Sequence, residues 1–164
     1  MSKSNASHRP AVRTALAAAV VAVGAMALAP QSIAQQANAG AQWIKYRQAA
    51  YTVLGTNFGQ VGGMAAGRIP FDAKMAAVRA ERVAYMATIV PEVFPAESQS
   101  GAPTKAKAGI WQNRAEFDQL MKNMGEKTAA LSVAAKGGNQ DAIKAAFGEA
   151  QKTCKACHDK FKEE

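Results

Sequence analysis

The sequence predicts an all-α protein, an antiparallel four-helix bundle, and three observations carry that expectation. Only 7% of the 164 residues are aromatic, alanine recurs throughout and β-branched runs are scarce, a composition that favours helix. Apolar residues return in alternating steps of four and three along the third and fourth segments, the spacing of a buried helical stripe. Proline and glycine breaks divide the chain into four such segments, joined by short links and one long crossover.

The first segment, about residues 41–66, places Ile44, Gln48, Tyr51, Leu54 or Gly55, and Phe58 on one helical face. "GRIPFD" interrupts it, with Pro70 as the stop and Asp72 as the N-cap of the next helix. The second, about 72–90, presents Met75, Val78, Tyr85 or Met86, and Ile89, and Pro91 and Pro95 end it. "AESQSGAPTKAKAG" is the long polar connection. The third segment is the most regular: Ile110, Arg114, Phe117, Met121, Met124, Thr128, Leu131 and Ala135 form a heptad seam along one long helix. "KGGNQD" closes it, with the glycines as C-cap and Asn139 as N-cap. The fourth repeats the rhythm through Ile143, Phe147, Ala150, Cys154, Cys157 and Phe161, so both sulfurs are expected to face the core.

Residues 1–34 read as a cleaved secretory signal peptide ahead of one domain over 35–164. Lys3, Arg9 and Arg13 precede an apolar run over 15–29, and "QSIA" supplies Ser32 and Ala34 as the small residues of a cleavage site. An uncleaved anchor is the alternative, but the run falls short of the roughly 20 residues that span a bilayer. The expected location is therefore the periplasm, with no membrane insertion of the mature chain. The whole chain carries a net +8 and a pI of about 9.7. Without the three leader bases, 17 basic residues face 12 acidic ones, a net of +5. No Lys/Arg cluster interleaves with aromatics, so no nucleic-acid partner is expected; the mild positive charge reads first as a solubilising surface, with a preference for anionic redox partners as its one functional shade.

Both cysteines and one of the two histidines fall within five positions of "TCKACHDKFKEE". C-x-x-C-H is the attachment signature of c-type haem. Two thiols three apart on a helix share a face and can each add to one vinyl group of the same porphyrin, and the following imidazole reaches the iron. The motif therefore assigns Cys154 and Cys157 to covalent attachment of one haem c, and His158 as its axial ligand. A structural zinc site needs four ligands, and His8 leaves with the signal. A thioredoxin-like pair needs a β-α-β context that the pattern lacks. A plain disulfide gives His158 no role.

A haem motif this near the C-terminus, with "YRQ" early in the first helix, "IW" opening the third, "GGNQD" before the fourth and "CKACHDKFK" at the end, resembles the class II c-type cytochromes, the cytochrome c′ family. The resemblance covers all four helices. It implies that Arg47 and Gln48 meet the haem propionates, and a paired cation lowers the cost of burying propionate charge. It implies that Thr104 and Lys105 lie where the crossover loop approaches the haem edge. Lys162, one turn after His158, is open to two readings: a cation that modulates the proximal side, or a solvated terminal lysine.

The resemblance also locates the sixth coordination site. Low-spin relatives carry a methionine one turn after the "RQ" pair, and here that place is held by Tyr51. The implied protein has five-coordinate, high-spin iron that binds nitric oxide and carbon monoxide, with electron transfer as a second use. The alternative is a low-spin electron-transfer cytochrome with Met64 or another methionine on the iron. An enzyme is not expected, because nothing resembles the distal His/Arg pair of peroxide cleavage. Family members commonly pair through their first two helices, which implies a homodimer, and Val53, Val61, Met64, Ala76, Ala77, Ala80 and Ala84 are the residues expected to offer the second surface.

Overall fold

The computed structural model describes residues 29–164. Gln36–Glu164 form one compact unit. The expected signal peptide lies outside the described residues apart from the helical backbone of 29–34. Among the described residues no helix is long and apolar enough to cross a membrane.

Four long helices build the bundle: α1 (Ala29–Ala65), α2 (Ala73–Ile89), α4 (Arg114–Lys136) and α5 (Gln140–Phe161), with a one-turn α3 (Gly109–Gln112) before α4. The crossover between α2 and α3 holds two 3-10 turns, Val90–Val93 and Ala96–Gln99. α1 begins well before the expected start near residue 41, because "AQQANAGAQ" is made mostly of Ala and Gln, which favour helix. Gly40 is tolerated inside it for a steric reason: any Cβ there would collide with the main-chain oxygens of Ser100 and Glu97. Gly101, at φ +109°, lies against the same stretch of α1, so two glycines let the crossover touch the helix backbone.

The helix ends follow the sequence. Asp72 Oδ1 accepts the Met75 amide at 2.9 Å and Asn139 Oδ1 the Ala142 amide at 2.9 Å, each satisfying an orphan donor of the first turn. Gly138 takes φ +71° between α4 and α5.

Three expectations need correction. The third segment is not one helix: it breaks at Asn113 (φ −123°, ψ 48°). The local cause is the anchoring of its start to the crossover, since Trp111 Nε1 donates to the Phe94 and Pro95 carbonyls and Arg114 Nη1 also donates to Phe94 O. Arg114, placed in the seam, is exposed and bonds Asp118 at 2.8 Å. The second helix buries a different face from the one expected: Ala76, Ala80, Val83 and Ala87 point inward, while Met75, Val78 and Tyr85 are exposed. Small residues line the close approach of α2 to α4, and apolar residues at nearly equal spacing on the outer face mimic a second stripe. The expected second surface changes with it. Val61, Met64, Ala76 and Ala80 are core residues, Ala77 and Ala84 are half-buried, and Val53 remains exposed.

The core has two parts. One end packs Val61, Met64, Ala76, Ala80, Leu131, Ala135, Ile143 and Ala150. The other gathers Leu54, Val90, Phe94, Ile110, Phe117, Met121, Met124 and Phe161 around a cavity. Between them Phe58 stacks on Phe147 with centroids 4.3 Å apart, and Phe147 fills the space where a side chain on Gly62 would stand.

Candidate haem site

The cavity at the second end encloses about 580 Å³, within the range of small-molecule and cofactor sites. α1 contributes Arg47, Gln48, Tyr51, Leu54, Gly55 and Phe58; α4 contributes Phe117, Met121 and Met124; α5 contributes Cys154, Cys157, His158 and Phe161. The crossover closes one side with Thr104, Lys105 and Ala106. All eight residues singled out in the sequence (Arg47, Gln48, Tyr51, Thr104, Lys105, Cys154, Cys157 and His158) therefore border one space, as does Lys162.

Cys154 and Cys157 are half-buried, free thiols on the cavity wall, one helical turn apart. Burial raises both pKa values, and Cys157, with Cys154 beside it, is pushed up to about 11. Neutral thiols are thus presented to the cavity at ordinary pH. His158 is exposed at the rim, and burial of part of its ring, then the nearby Lys162 charge, holds its pKa below the usual imidazole value against a smaller opposing pull from Asp159. A depressed pKa keeps the imidazole neutral, the form that binds a metal.

Arg47 is 4% exposed, and its environment is unusual for a cation. Nη1 donates to Val93 O (3.4 Å) and Ser98 Oγ (3.1 Å), and Nη2 to Ser98 O (3.2 Å) and Thr104 Oγ1 (2.9 Å). The guanidinium lies 4.8 Å from the Phe94 ring centroid and 5.8 Å from that of Trp111. Every one of these acceptors is neutral, and burial lowers the Arg47 pKa. The site therefore holds a buried positive charge with no carboxylate against it among the described residues, an arrangement completed by an anion entering the cavity. Gln48 is exposed and donates to Pro103 O at 3.1 Å. Lys105 also borders the cavity, with its ammonium turned to Glu164 O at 2.8 Å.

Tyr51 projects among apolar side chains, edge-on to Phe94 with centroids 6.2 Å apart, its hydroxyl 3.9 Å from Met121 Sδ. Burial is the main reason its phenol pKa rises, the two thiols add to the rise, and Arg47 opposes it. Next to it Gly55 faces the cavity, and a Cβ built there would meet nothing within 4 Å. Met64 is elsewhere: it is buried in the opposite half of the core and does not line the cavity. That removes Met64 as the ligand of the low-spin alternative.

One residue of this site was not legible in the sequence. Ser98, fully buried beneath Arg47, sits in the polar crossover, where no periodicity marks it. Met121 and Met124 were legible as seam residues, a pattern that suits an ordinary core as well as the lining of a cofactor, and they line the cavity.

The residues present fit a haem. Two thiols and an imidazole stand on one helix, a buried cation awaits an anion, and the open space at Gly55 and the aromatic wall suit a flat apolar macrocycle. A family model for cytochrome c′ matches residues 42–162. Cytochrome c′ from Rubrivivax gelatinosus is 39% identical over 120 residues, covering 73% of this chain and 93% of the relative. The structure of cytochrome c prime from Shewanella frigidimarina superposes with a TM-score of 0.73 at 44% identity, covering 76% of this chain and 97% of that one. A nitric oxide complex of a cytochrome c prime variant from Alcaligenes xylosoxidans superposes with a TM-score of 0.70 at 29% identity, over 76% of this chain and 97% of that one. On the haem motif, the bundle around the cavity and these matches together, the chain belongs to the cytochrome c′ family.

Proposed function

We propose that this protein is an exported haem protein whose five-coordinate iron takes nitric oxide and carbon monoxide and also exchanges electrons with an anionic partner. Family membership makes it a c-type haem protein. Beyond that, the proposal joins the haem through Cys154 and Cys157 and ligates the iron with His158. When bound, the haem supplies an iron with an open coordination position. The chain's own residues decide what enters. Arg47 neutralises a propionate, and Gln48, Thr104 and Lys105 frame the haem edge. Tyr51, Leu54, Phe58, Phe94 and Met121 offer neither imidazole nor carboxylate, so a charged ligand loses its hydration there without compensation. Small uncharged diatomics meet no such penalty.

The observation that carries this reading is Tyr51 in the cavity wall, in the place where a low-spin relative carries methionine, with Met64 remote from the site. The absorption spectrum of the purified ferrous protein tests it. A high-spin, five-coordinate spectrum is expected; sharp split α and β bands would instead put Met121 or Met124 on the iron. Mass spectrometry of protein from a periplasmic extract checks export, with the mature chain expected to begin near Gln35.

The proposal includes a homodimer through α1 and α2. Tyr46, Val53, Met75, Val78 and Tyr85, the large exposed apolar residues of these two helices outside the α1–α2 link, support a shared surface.

A further inference from the structure

The crossover and the C-terminal turn are laced together beside the cavity. Ala106 and Lys162 form an antiparallel bridge, the Lys107 amide donates to Phe161 O at 3.0 Å, and the Glu163 amide to Lys105 O at 2.8 Å. Lys105 Nζ adds its bond to Glu164 O. This strap joins the loop to the turn that follows His158. Its near end is Thr104, whose Oγ1 accepts from Arg47 Nη2 at 2.9 Å and from the Ala106 amide at 3.2 Å. A threonine hydroxyl has two lone pairs, and here both are taken, one by the buried cation and one by the strap.

We infer that Thr104 is a positioning residue: its hydroxyl aims Arg47 at the cavity and holds the amide of Ala106, the strap residue that pairs with Lys162. The inference rests on the reading that Arg47 faces a haem propionate. Val93 and Ser98 hold the guanidinium from beneath, and Thr104, the one of its acceptors that borders the cavity, fixes its cavity-side end. Losing the Thr104 acceptor leaves the guanidinium held by Val93 and Ser98 alone, with nothing to keep it toward the cavity, and leaves the Ala106 amide without its partner. A cation turned away from the propionate stabilises ferrous haem less, so the reduction potential falls.

The experiment uses the holoprotein and two variants. Thr104→Val keeps the shape and removes the acceptor, and the half-exposed site accommodates it; Thr104→Ser restores the hydroxyl. Amide hydrogen exchange at Lys107 and Glu163 is expected to quicken roughly tenfold in the valine variant, the effect of one lost hydrogen bond on local opening. The midpoint potential is expected to fall, and serine should bring both quantities back. Faster exchange with an unchanged potential would overturn the positioning of Arg47 and leave a purely structural clip. No change in either would overturn the strap as well. Arg47→Leu separates the underlying reading: if that variant keeps the wild-type potential, the propionate assignment fails independently of Thr104.

Discussion

Replacing Tyr51 by alanine tests how the cavity admits a ligand. With Tyr51 holding the place of the sixth ligand in low-spin relatives, the proposed site admits a diatomic to the iron only when the ring moves aside. Leaving its place breaks the edge-on contact with Phe94, 6.2 Å between centroids, worth about 0.5–1.5 kcal/mol beyond burial. It also exposes part of a side chain whose burial is worth about 1.5–3 kcal/mol, of which a partial move forfeits roughly half. The contact between its hydroxyl and Met121 Sδ, at 3.9 Å, adds little. The barrier contributed by Tyr51 is then about 1.5–3 kcal/mol, and at about 1.4 kcal/mol per tenfold its removal speeds carbon monoxide association roughly 10- to 100-fold. Stopped-flow mixing of the ferrous protein with carbon monoxide reads this directly. Tyr51→Phe keeps the ring and should stay within about threefold of wild type on the same arithmetic. An alanine variant that associates no faster than wild type would refute the reasoning, since the ring would then not stand in the ligand's path.

Cys154→Ala or Cys157→Ala leaves one thioether at most, and His158→Ala removes the axial bond; acid extraction of denatured wild-type protein should release no haem, and free release would end the covalent assignment. Gly62→Ala should lower stability by about 1–3 kcal/mol in urea denaturation, because the new methyl meets the edge of the Phe147 ring, which is stacked on Phe58, and this overrides the roughly 1 kcal/mol gain in helix propensity. Tyr51→Phe should flatten the alkaline arm of the stability curve. The native phenol has a raised pKa, so its contribution is whole below the unfolded value of 10.0 and is lost as pH climbs from there toward the native value. Urea midpoints at pH 9 and pH 11 for the two proteins would show the difference, and equal losses would mean that Tyr51 ionises as freely when folded. Val78→Glu, which sets like charges on the outer face of α2, should shift sedimentation toward the monomer at low micromolar concentration; an unchanged dimer would move the interface off this face.

Much of this molecule is determined by the sequence alone, and the reason is periodicity. The α4 and α5 seams, from Phe117 to Ala135 and from Ile143 to Phe161, could be read because one buried stripe recurs against a polar remainder. The caps at Asp72 and Asn139 were equally legible, since their chemistry is local and needs nothing beyond three following residues. The C-x-x-C-H spacing carries its own chemistry. Resemblance, rather than spacing, supplied Arg47, Gln48, Tyr51, Thr104 and Lys105. Tertiary structure decided the rest. In α2 two apolar faces compete at nearly the same spacing, and only the closeness of α4 selects the alanines over Met75 and Val78. The break at Asn113 depends on carbonyls of Phe94 and Pro95, which are distant in the chain and close in space. Ser98 beneath Arg47, and Thr104 between Arg47 and the C-terminal strap, belong to the crossover, where position is set by hydrogen bonds to remote partners and no repeat in the sequence announces it.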